Sequence, residues 1–476
     1  MKYLIALFKF LGGVSLMVLL VVGLAIPISI YEMPSDLLVA NNANDLVLTN
    51  ATYVDVVTGA AVSNTQIHIA NGQIVAIGKE PPIWKQQVRI INIEGAFVSP
   101  GLFDMHVYVH DRKYLGLYLA YGVTSVRNLR GLPMHLRWKD ELNNSEWLGS
   151  SLYTSSPVLD GEKYAHALQQ TVTSPEKARQ LVSRYKDDGY DLIKAYGYLD
   201  KDVFSAITEK AKELDFPVAK HGPNPVEGLR LNANKDLQSL EHVEDIFQGP
   251  LNFSFDPVTL RKWVTELKFI NPTITPTLAT FHHSTKLSLN KQEFVDGLPL
   301  ETLNPLYRRL LGEFAVNRWL DASQEQARYN QREEAFLLDI VKELDRQDIT
   351  LLVGSDGGTM YMPAGPSTHL EIELLEKAGV TPLTIIQAAT INAATALNIE
   401  DQYGSIQVGK VADLLISKNN PLKDLFTLAQ PIAVVKAGQW LSKEDLLSLK
   451  ESGKNPSNLY VSIGRFLEDW LTRKFH

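Results

Sequence analysis

Short apolar strands alternate with amphipathic helices through most of this chain, and this alternation limits the folds that it can adopt. The segments YDLIKAY, PVAKHG and ITLLVGSD have the length and apolar character of buried strands, whereas KDVFSAITEKAKELDF carries apolar residues at helical spacing. Ser174 and Pro175 supply a helix start, and Gly189 follows its end. Repeated units of this kind favour a parallel barrel. The sequence therefore predicts an α/β fold with a (β/α)8 TIM barrel.

Strand-rich segments flank this region on both sides. Alternating apolar and polar residues fill Asp45–Val98, and a similar pattern returns at Ala412–Leu441. We expect the two segments to form one small β-sandwich, and a helical insertion near 281–347. The predicted parts are a membrane anchor and linker (1–44), the first part of the sandwich (45–97), the barrel (98–402), the second part of the sandwich (403–445) and a C-terminal amphipathic helix (446–476).

An uncharged apolar run, Phe10–Ile30, is long enough to cross a bilayer as a helix. Lys2 and Lys9 precede it, and Glu32 and Asp36 follow it, so the positive-inside rule places the body outside the cytoplasm. A cleaved signal peptide and a buried core helix are the alternatives. The expectation is a single-pass N-terminal transmembrane helix with an extracytoplasmic body, which is periplasmic if the source is Gram-negative.

The C-terminal tail has one apolar helical face, with Arg465, Arg473 and Lys474 lying off it. Either this helix packs on the body, or it lies on a membrane surface near the anchor. The residues of the apolar face are Leu459, Ile463, Phe466, Leu467, Trp470 and Leu471.

Composition excludes several classes of site. The net charge of −8 provides no electrostatic footprint for nucleic acid, so no nucleic-acid partner is expected. The chain has no cysteine, which removes disulfides, thiolate zinc sites and cysteine nucleophiles. Any metal must therefore be held by histidine, carboxylate or a modified side chain.

Five polar residues each end an apolar strand, and barrel active sites are built at the carboxyl ends of strands. Buried imidazoles and charges there cost several kcal/mol unless they pair or bind metal. Metal ligation by His221 and His242 is accordingly favoured over structural roles. The five residues are His106, Lys194, His221, His242 and Asp356.

The motifs VSPGLFDMHVYVHD, IKAYGYLD, VAKHGPN, SLEHVEDI, GSDGG and AATINAATALNIEDQYGSIQVGKVADLLI resemble the amidohydrolase superfamily. The most similar branch is the imidazolonepropionase-like group, which includes Xaa-Pro dipeptidases. The resemblance covers roughly Asp45 to Leu441, and its motifs are specific as an ordered set.

The resemblance implies a role for each strand-end residue. His106 matches a ligand of the more buried metal, and Lys194 matches a lysine that bridges two metals when carboxylated. His221 and His242 match ligands of the more exposed metal, and Asp356 matches the general base and acid that touches metal. One or two divalent metals, zinc above all, are expected. Pairing of Lys194 with Asp356 in a metal-poor site is the alternative.

One position departs from the family pattern. The second histidine of the first-strand pair would stand at position 108, where this chain has Tyr108, a poor ligand unless its pKa falls strongly. His110 has the same strand parity, but it lies two residues, about 6.6 Å, further along. Tyr108 and His110 are therefore the two substitute ligands considered. Weaker candidates for contacting substrate are Arg127, Tyr164, His166 and Tyr198.

The resemblance implies metal-dependent hydrolysis of amide (C–N) bonds. Metal-bound hydroxide would attack the carbonyl, with Asp356 as general base and then acid. A dipeptide, a cyclic amide or another small molecule would be the substrate. The alternative that Tyr108 raises is a degenerate barrel that binds a ligand without hydrolysing it. A weaker third alternative is a membrane scaffold that uses the acidic body and the C-terminal helix.

Overall fold

The computed structural model describes residues 23–37, 45–79, 88–163 and 169–474, and its strands fall into three sheets. The strands are β1 (Leu46–Asp55), β2 (Ala60–Ala70), β3 (Gln73–Gly78), β4 (Arg89–Asn92), β5 (Phe97–Pro100), β6 (Leu102–Val107), β7 (Val123–Asn128), β8 (Ser151–Thr154), β9 (Val158–Asp160), β10 (Gln169–Thr171), β11 (Ile193–Ala195), β12 (Val218–His221), β13 (Ser239–Glu241), β14 (Thr273–Thr275), β15 (Thr350–Leu351), β16 (Leu414–Ser417), β17 (Ala433–Lys436) and β18 (Gln439–Leu441).

Helices separate most of these strands. They are α1 (23–31), α2 (Arg112–Ala120), α3 (Pro133–Asn143), α4 (Pro175–Asp187), α5 (Lys201–Glu213), α6 (Glu244–Gln248), α7 (Pro257–Lys268), α8 (Leu278–Asp296), α9 (Pro305–Tyr307), α10 (Glu313–Leu320), α11 (Gln324–Arg346), α12 (Pro366–Lys377), α13 (Pro382–Ala388), α14 (Ile391–Ala396), α15 (Lys443–Gly453) and α16 (Leu459–Lys474). Helices α8 to α11 lie between β14 and β15, where the helical insertion was predicted.

Parallel strands form a closed wall. Strands β6 to β8 pair in one sheet, and β9 to β15 belong to another. Parallel bridges from Ser155 to Leu192 and from Val107 to Gly357 join the two sheets at both edges. The Asp356 amide also donates to the His106 carbonyl at 2.8 Å across the second junction. This pattern is consistent with the predicted barrel, because its carboxyl-terminal strand ends meet on one rim.

The two flanking segments share one sheet. Strand β5 pairs in parallel with β1 and antiparallel with β16, so β1 to β5 and β16 to β18 form one eight-stranded sheet. Leu48, Ile67 and Val98 pack there with Leu414 and Val435 in one apolar core. Hydrogen bonds run continuously from one flank into the other, so both ends of the chain contribute to this sheet.

The terminal helices α1 and α16 pack against each other. A side chain at Gly464 would place its Cβ 2.1 Å from the Ala25 carbonyl oxygen, so only glycine allows this approach. Glu32, just after α1, accepts a hydrogen bond from Arg465 at 2.7 Å, and its backbone carbonyl accepts one from Arg112 at 2.6 Å. The C-terminal helix therefore packs on the body, which was the first of its two predicted placements.

The face that α16 turns inward is only partly the predicted one, because Ile463, Phe466, Leu467 and Leu471 are half-buried. Ser462, Arg465 and Asp469 are buried, whereas Leu459 and Trp470 of the predicted apolar face are 36% and 42% exposed. The polar face packs inward because it finds charged partners there: Arg465 binds Glu32, and Asp469 binds Arg473 within the helix.

In the part of the chain that the structure describes, no helix is long and apolar enough to span a membrane. Of the predicted transmembrane run, residues 10–22 lie outside the described ranges. Residues 23–30 belong to α1, where Ala25 and Ser29 are buried and Leu24 and Ile28 are exposed.

We predict that Gly354→Ala destabilises the barrel next to His106. A Cβ at position 354 would lie 2.3 Å from a methyl group of Thr275 and 2.9 Å from the His106 Cβ. Overpacking of this kind costs about 1–3 kcal/mol in the free energy of unfolding. Urea denaturation followed by circular dichroism measures the cost. Gly78→Ala is the matched control, since its Cβ would meet no atom within 4 Å, and equal stability of the two variants would contradict the packing argument.

Candidate active site

The five residues predicted at strand ends come together at one rim of the barrel. The His106 and His221 rings lie 4.7 and 4.5 Å from the ring of His242. The His106 Nε2 and the Asp356 Oδ1 are 3.4 Å apart. Lys194 is fully buried, and its charge acts on the pKa of His221, His242 and Asp356. We call this group the rim cluster.

Two members of the rim cluster have unusual backbone conformations. His242 and Asp356 have φ angles of 67° and 60°, in the left-handed region that side chains disfavour. Such a residue costs about 1–3 kcal/mol, and such residues concentrate at functional sites. His242 immediately follows β13, whereas Asp356 lies five residues after the end of β15 and directly before Gly357, whose bridge to Val107 joins the two sheets.

Glu241, which the sequence analysis missed, orients the rim cluster from below. Its Oε2 accepts from the His106 Nδ1 at 2.8 Å, and its Oε1 accepts from Arg127 at 3.0 Å. Burial raises the pKa of Glu241, but Arg127, Lys194 and His106 outweigh it and hold that pKa below its usual value. A carboxylate can only accept, so the His106 proton sits on Nδ1 and the Nε2 lone pair faces the cluster.

Four buried polar atoms of the rim cluster have no hydrogen-bond partner among the described residues. They are the His106 Nε2, the Lys194 Nζ, the His221 Nδ1 and the Asp356 Oδ1. Orphaned buried groups are rare and costly, so they call for a ligand or an ion. Two ligands of a tetrahedral zinc site, at about 2.0–2.1 Å from the metal, stand about 3.3 Å from each other. The 3.4 Å between the His106 Nε2 and the Asp356 Oδ1 matches this spacing, so the chemistry and separation of this one pair are compatible with a divalent metal.

Protonation states also suit cation binding. Burial, together with the charge of Lys194, lowers the pKa of His221 well below its usual value, and burial with the neighbouring imidazoles does the same for His242. Neutral imidazole is the form that ligates metal. Burial lowers the pKa of Lys194 to about 8, which brings the neutral amine required for carboxylation within reach. Across the described ranges, however, no group of three or more His, Cys, Asp or Glu side chains has a geometry that could hold a metal ion without rearrangement.

Tyr108 lies beside the rim cluster but faces other partners. Its ring is 5.7 Å from the His106 ring, and the Arg130 guanidinium lies over its other side, 4.3 Å from the centroid. Burial, with smaller effects of Tyr196 and Asp356, raises the pKa of Tyr108 well above its usual value. The side chain is therefore a neutral phenol, so the structure does not support its predicted role as a metal ligand.

His110 does not replace the missing ligand in this structure. Its ring stacks on Tyr307 at 3.7 Å between centroids, with the planes 10° apart. It lines a cavity of about 430 Å³ that lies next to the rim cluster. The end of β6 does not bend enough to bring His110 to the imidazoles of the rim cluster. The suggestion that His110 acts as a substitute ligand is therefore wrong for this structure.

The weaker substrate candidates are placed differently from one another. Arg127 has no exposed surface, and its guanidinium is held by Glu241, Ser239 and Gln238, so it supports the site and cannot touch substrate. Tyr198 is 57% exposed and lines a second, larger cleft of about 1860 Å³ that also reaches His221. Tyr164 and His166 lie outside the described residues.

Comparisons with known proteins agree with this geometry. The Amidohydrolase family matches residues 119–441. An adenine deaminase of Clostridium botulinum is 22% identical over 410 residues, which are 85% of this chain and 58% of that protein. The chain thus spans a little over half the length of this relative.

Solved structures share the fold. A bottromycin amidohydrolase superposes with a TM-score of 0.71 at 22% identity, covering 91% of this chain and 94% of that one. A Xaa-Pro dipeptidase superposes with a TM-score of 0.64 at 19% identity, covering 84% of this chain and all of that one. The resemblance noted in the sequence is confirmed, and the chain belongs to the amidohydrolase family.

Proposed function

We propose that this protein is a metal-dependent hydrolase of amide (C–N) bonds in dipeptides, cyclic amides or similar small molecules. The observation that carries the proposal is the set of four buried polar atoms without a hydrogen-bond partner among the described residues, in a cluster where the imidazole rings and Asp356 approach one another. Family relatives named as a Xaa-Pro dipeptidase, a bottromycin amidohydrolase and an adenine deaminase support C–N bond chemistry.

In the proposed mechanism, His106, Lys194, His221, His242 and Asp356 would hold one or two divalent metals, with zinc the expected ion and Lys194 carboxylated where two are bound. When bound, such a metal lowers the pKa of water and polarises a carbonyl.

Asp356 is placed for the proton transfers. Its Oδ1 faces the cluster without a hydrogen-bond partner among the described residues, and burial raises its pKa above the usual value. Asp356 takes a proton from the water whose oxygen bonds to the amide carbon. It then delivers this proton to the nitrogen as the C–N bond breaks, which leaves a carboxylic acid and a free amine.

We predict that Asp356→Asn lowers kcat by about 100- to 10,000-fold, the usual contribution of a general base. Hydrolysis of a dipeptide library, followed by mass spectrometry, provides the measurement. The control is Glu371→Gln, which changes another buried carboxyl group. Burial raises the pKa of Glu371 to about 8, so that group is already neutral at pH 7 and its variant should retain activity. Full activity of Asp356→Asn would contradict the proton-transfer role.

Metal removal provides a second prediction. Dialysis against a chelator should abolish hydrolysis, and added Zn²⁺ should restore it, with bound metal counted by elemental analysis. His242→Asn should lower the metal content, whereas His369→Asn should not, because the His369 Nε2 bonds the Tyr121 carbonyl away from the cluster. Retained hydrolysis in metal-free protein would exclude the proposed mechanism.

Tyr108 leaves a second candidate function, a barrel that binds ligands without turning them over. Tyr108→His separates the two. If the native site is catalytically competent, the new histidine side chain should raise the metal affinity about tenfold or more, and kcat should stay the same or fall. A gain of hydrolysis above 100-fold from an almost inactive wild type would instead identify the native protein as a binding protein.

We further propose that the Phe10–Ile30 run attaches the chain to a membrane with its body outside the cytoplasm. The run's lack of charge and the lysines before it support this placement. The full chain should stay in the membrane fraction after carbonate washing. Leu16→Lys combined with Leu19→Lys should release it, whereas Leu447→Lys, on an exposed face of α15, should not. Release of the wild type would overturn the proposal.

A further inference from the structure

A largely apolar cavity of about 430 Å³ lies beside the rim cluster, and the mechanism above makes no use of it. Its walls include Leu303, Tyr307, Leu310, Phe314 and Met360. Leu310 and Phe314 are 56% and 87% exposed, so apolar surface continues to the mouth of the cavity. Exposed apolar surface around a concave site is typical of ligand binding.

Arg130 and Arg308 both line this cavity; Arg308 is exposed, and Arg130 is the one that lies beside Tyr108. Its guanidinium lies 4.3 Å from the centroid of the Tyr108 ring, and that ring is the neighbour of His106. Arg130 and His106 are therefore both neighbours of the Tyr108 ring.

The backbone holds Arg130 firmly in this position. Its carbonyl accepts a hydrogen bond from Asn128 at 2.9 Å, and the next amide, at Gly131, donates to Ser156 at 3.1 Å. A Cβ at Gly131 would stand 1.7 Å from the Ser155 carbonyl oxygen, so this close approach requires glycine. The backbone of Arg130 is thus fixed just after the end of β7.

The guanidinium has unused binding capacity. Among the described residues, no Asp or Glu lies within ion-pair distance of Arg130, whereas Arg112, Arg127 and Arg465 all have carboxylate partners. An arginine stays charged at any physiological pH and presents a planar fork that matches a carboxylate. A partly desolvated, fixed and unpaired arginine is suited to bind an anion that arrives with a ligand.

We propose that Arg130 binds a substrate carboxylate and that the adjoining cavity accepts a bulky apolar group next to it. This inference rests on the proposed amide hydrolysis and specifies its substrate class: N-acyl amino acids, including dipeptides, with a large apolar residue on the amine side. In such molecules the carboxylate carbon lies only three bonds from the scissile carbonyl carbon. That short reach agrees with the position of Arg130 and His106 as neighbours of the same Tyr108 ring.

The proposal gives Tyr108 a role of its own. The phenol stands where the family pattern has a histidine, and its ring is the surface on which Arg130 lies. Cation–π contact of this kind positions a guanidinium without neutralising it. Tyr108→Phe keeps the ring and should preserve carboxylate selection, whereas Tyr108→Leu should weaken it.

The test compares substrates with and without the carboxylate. The metal-loaded full chain should hydrolyse N-acetyl-L-phenylalanine with a kcat/KM roughly 10- to 100-fold above that for N-acetyl-L-phenylalaninamide, the size of a charge-assisted hydrogen bond. Arg130→Met should remove this preference by losing activity on the acid alone. Arg308→Met is the matched control, because Arg308 is exposed at the rim of the same cavity and should leave the preference intact.

A binding measurement keeps this inference separate from the hydrolysis itself. L-Phenylalanine, the expected product, should raise the Tm of the wild type but not of Arg130→Met, even if no amide is cleaved. The role of Arg130 would be overturned if Arg308→Met, and not Arg130→Met, lost the preference for the acid over the amide. It would also be overturned if L-phenylalanine raised the Tm of the wild type and of Arg130→Met equally. Binding by L-phenylalanine without any hydrolysis would uphold Arg130 and reject the proposed function.

Discussion

The site depends on the desolvation of charged and polar groups at one end of the barrel. A lysine, two imidazoles and a carboxylate are buried there beside the half-buried His221, and four atoms of this group have no hydrogen-bond partner among the described residues. Burial without compensation costs several kcal/mol per charged group, of the same order as the whole stability of a domain. The left-handed residues His242 and Asp356 add further cost. A bound cation, as proposed, would supply the missing partners, and Glu241 and Arg127 provide the fixed base on which His106 is oriented.

Departure from the family pattern is concentrated on one side of this site. Tyr108 and Arg130 form a single unit at the ends of β6 and β7, between the imidazoles and the apolar cavity. The phenol at position 108 lies against Arg130 in this chain, where the family pattern has a histidine. If Arg130 binds a substrate carboxylate as proposed, the same ring both replaces a metal ligand and supports the anion-binding group.

The sequence predicted the site residues whose placement follows from strand geometry. It failed where an unusual backbone conformation or a partner distant in sequence decides which way a side chain points. The strand-end rule brought together His106, Lys194, His221, His242 and Asp356. It missed Glu241, because alternation sends neighbours to opposite faces, and only the positive φ of His242 lets both point inward. Arg127 was predicted to contact substrate because the sequence does not show its partners Glu241 and Ser239, which are more than 110 positions away; Arg130 was not among the candidates. The helix α16 buries polar residues beside its predicted face, since periodicity does not reveal that Glu32 pairs with Arg465.

Glu32 has a consequence for how load passes through the molecule. It binds Arg465 of the last helix and Arg112 of the first barrel helix, close to where the chain leaves β6. Asp36, on the same segment, pairs with Lys113 of that barrel helix. A pull on α1 would therefore load these ion pairs, and through them the two helices, before it reached any strand.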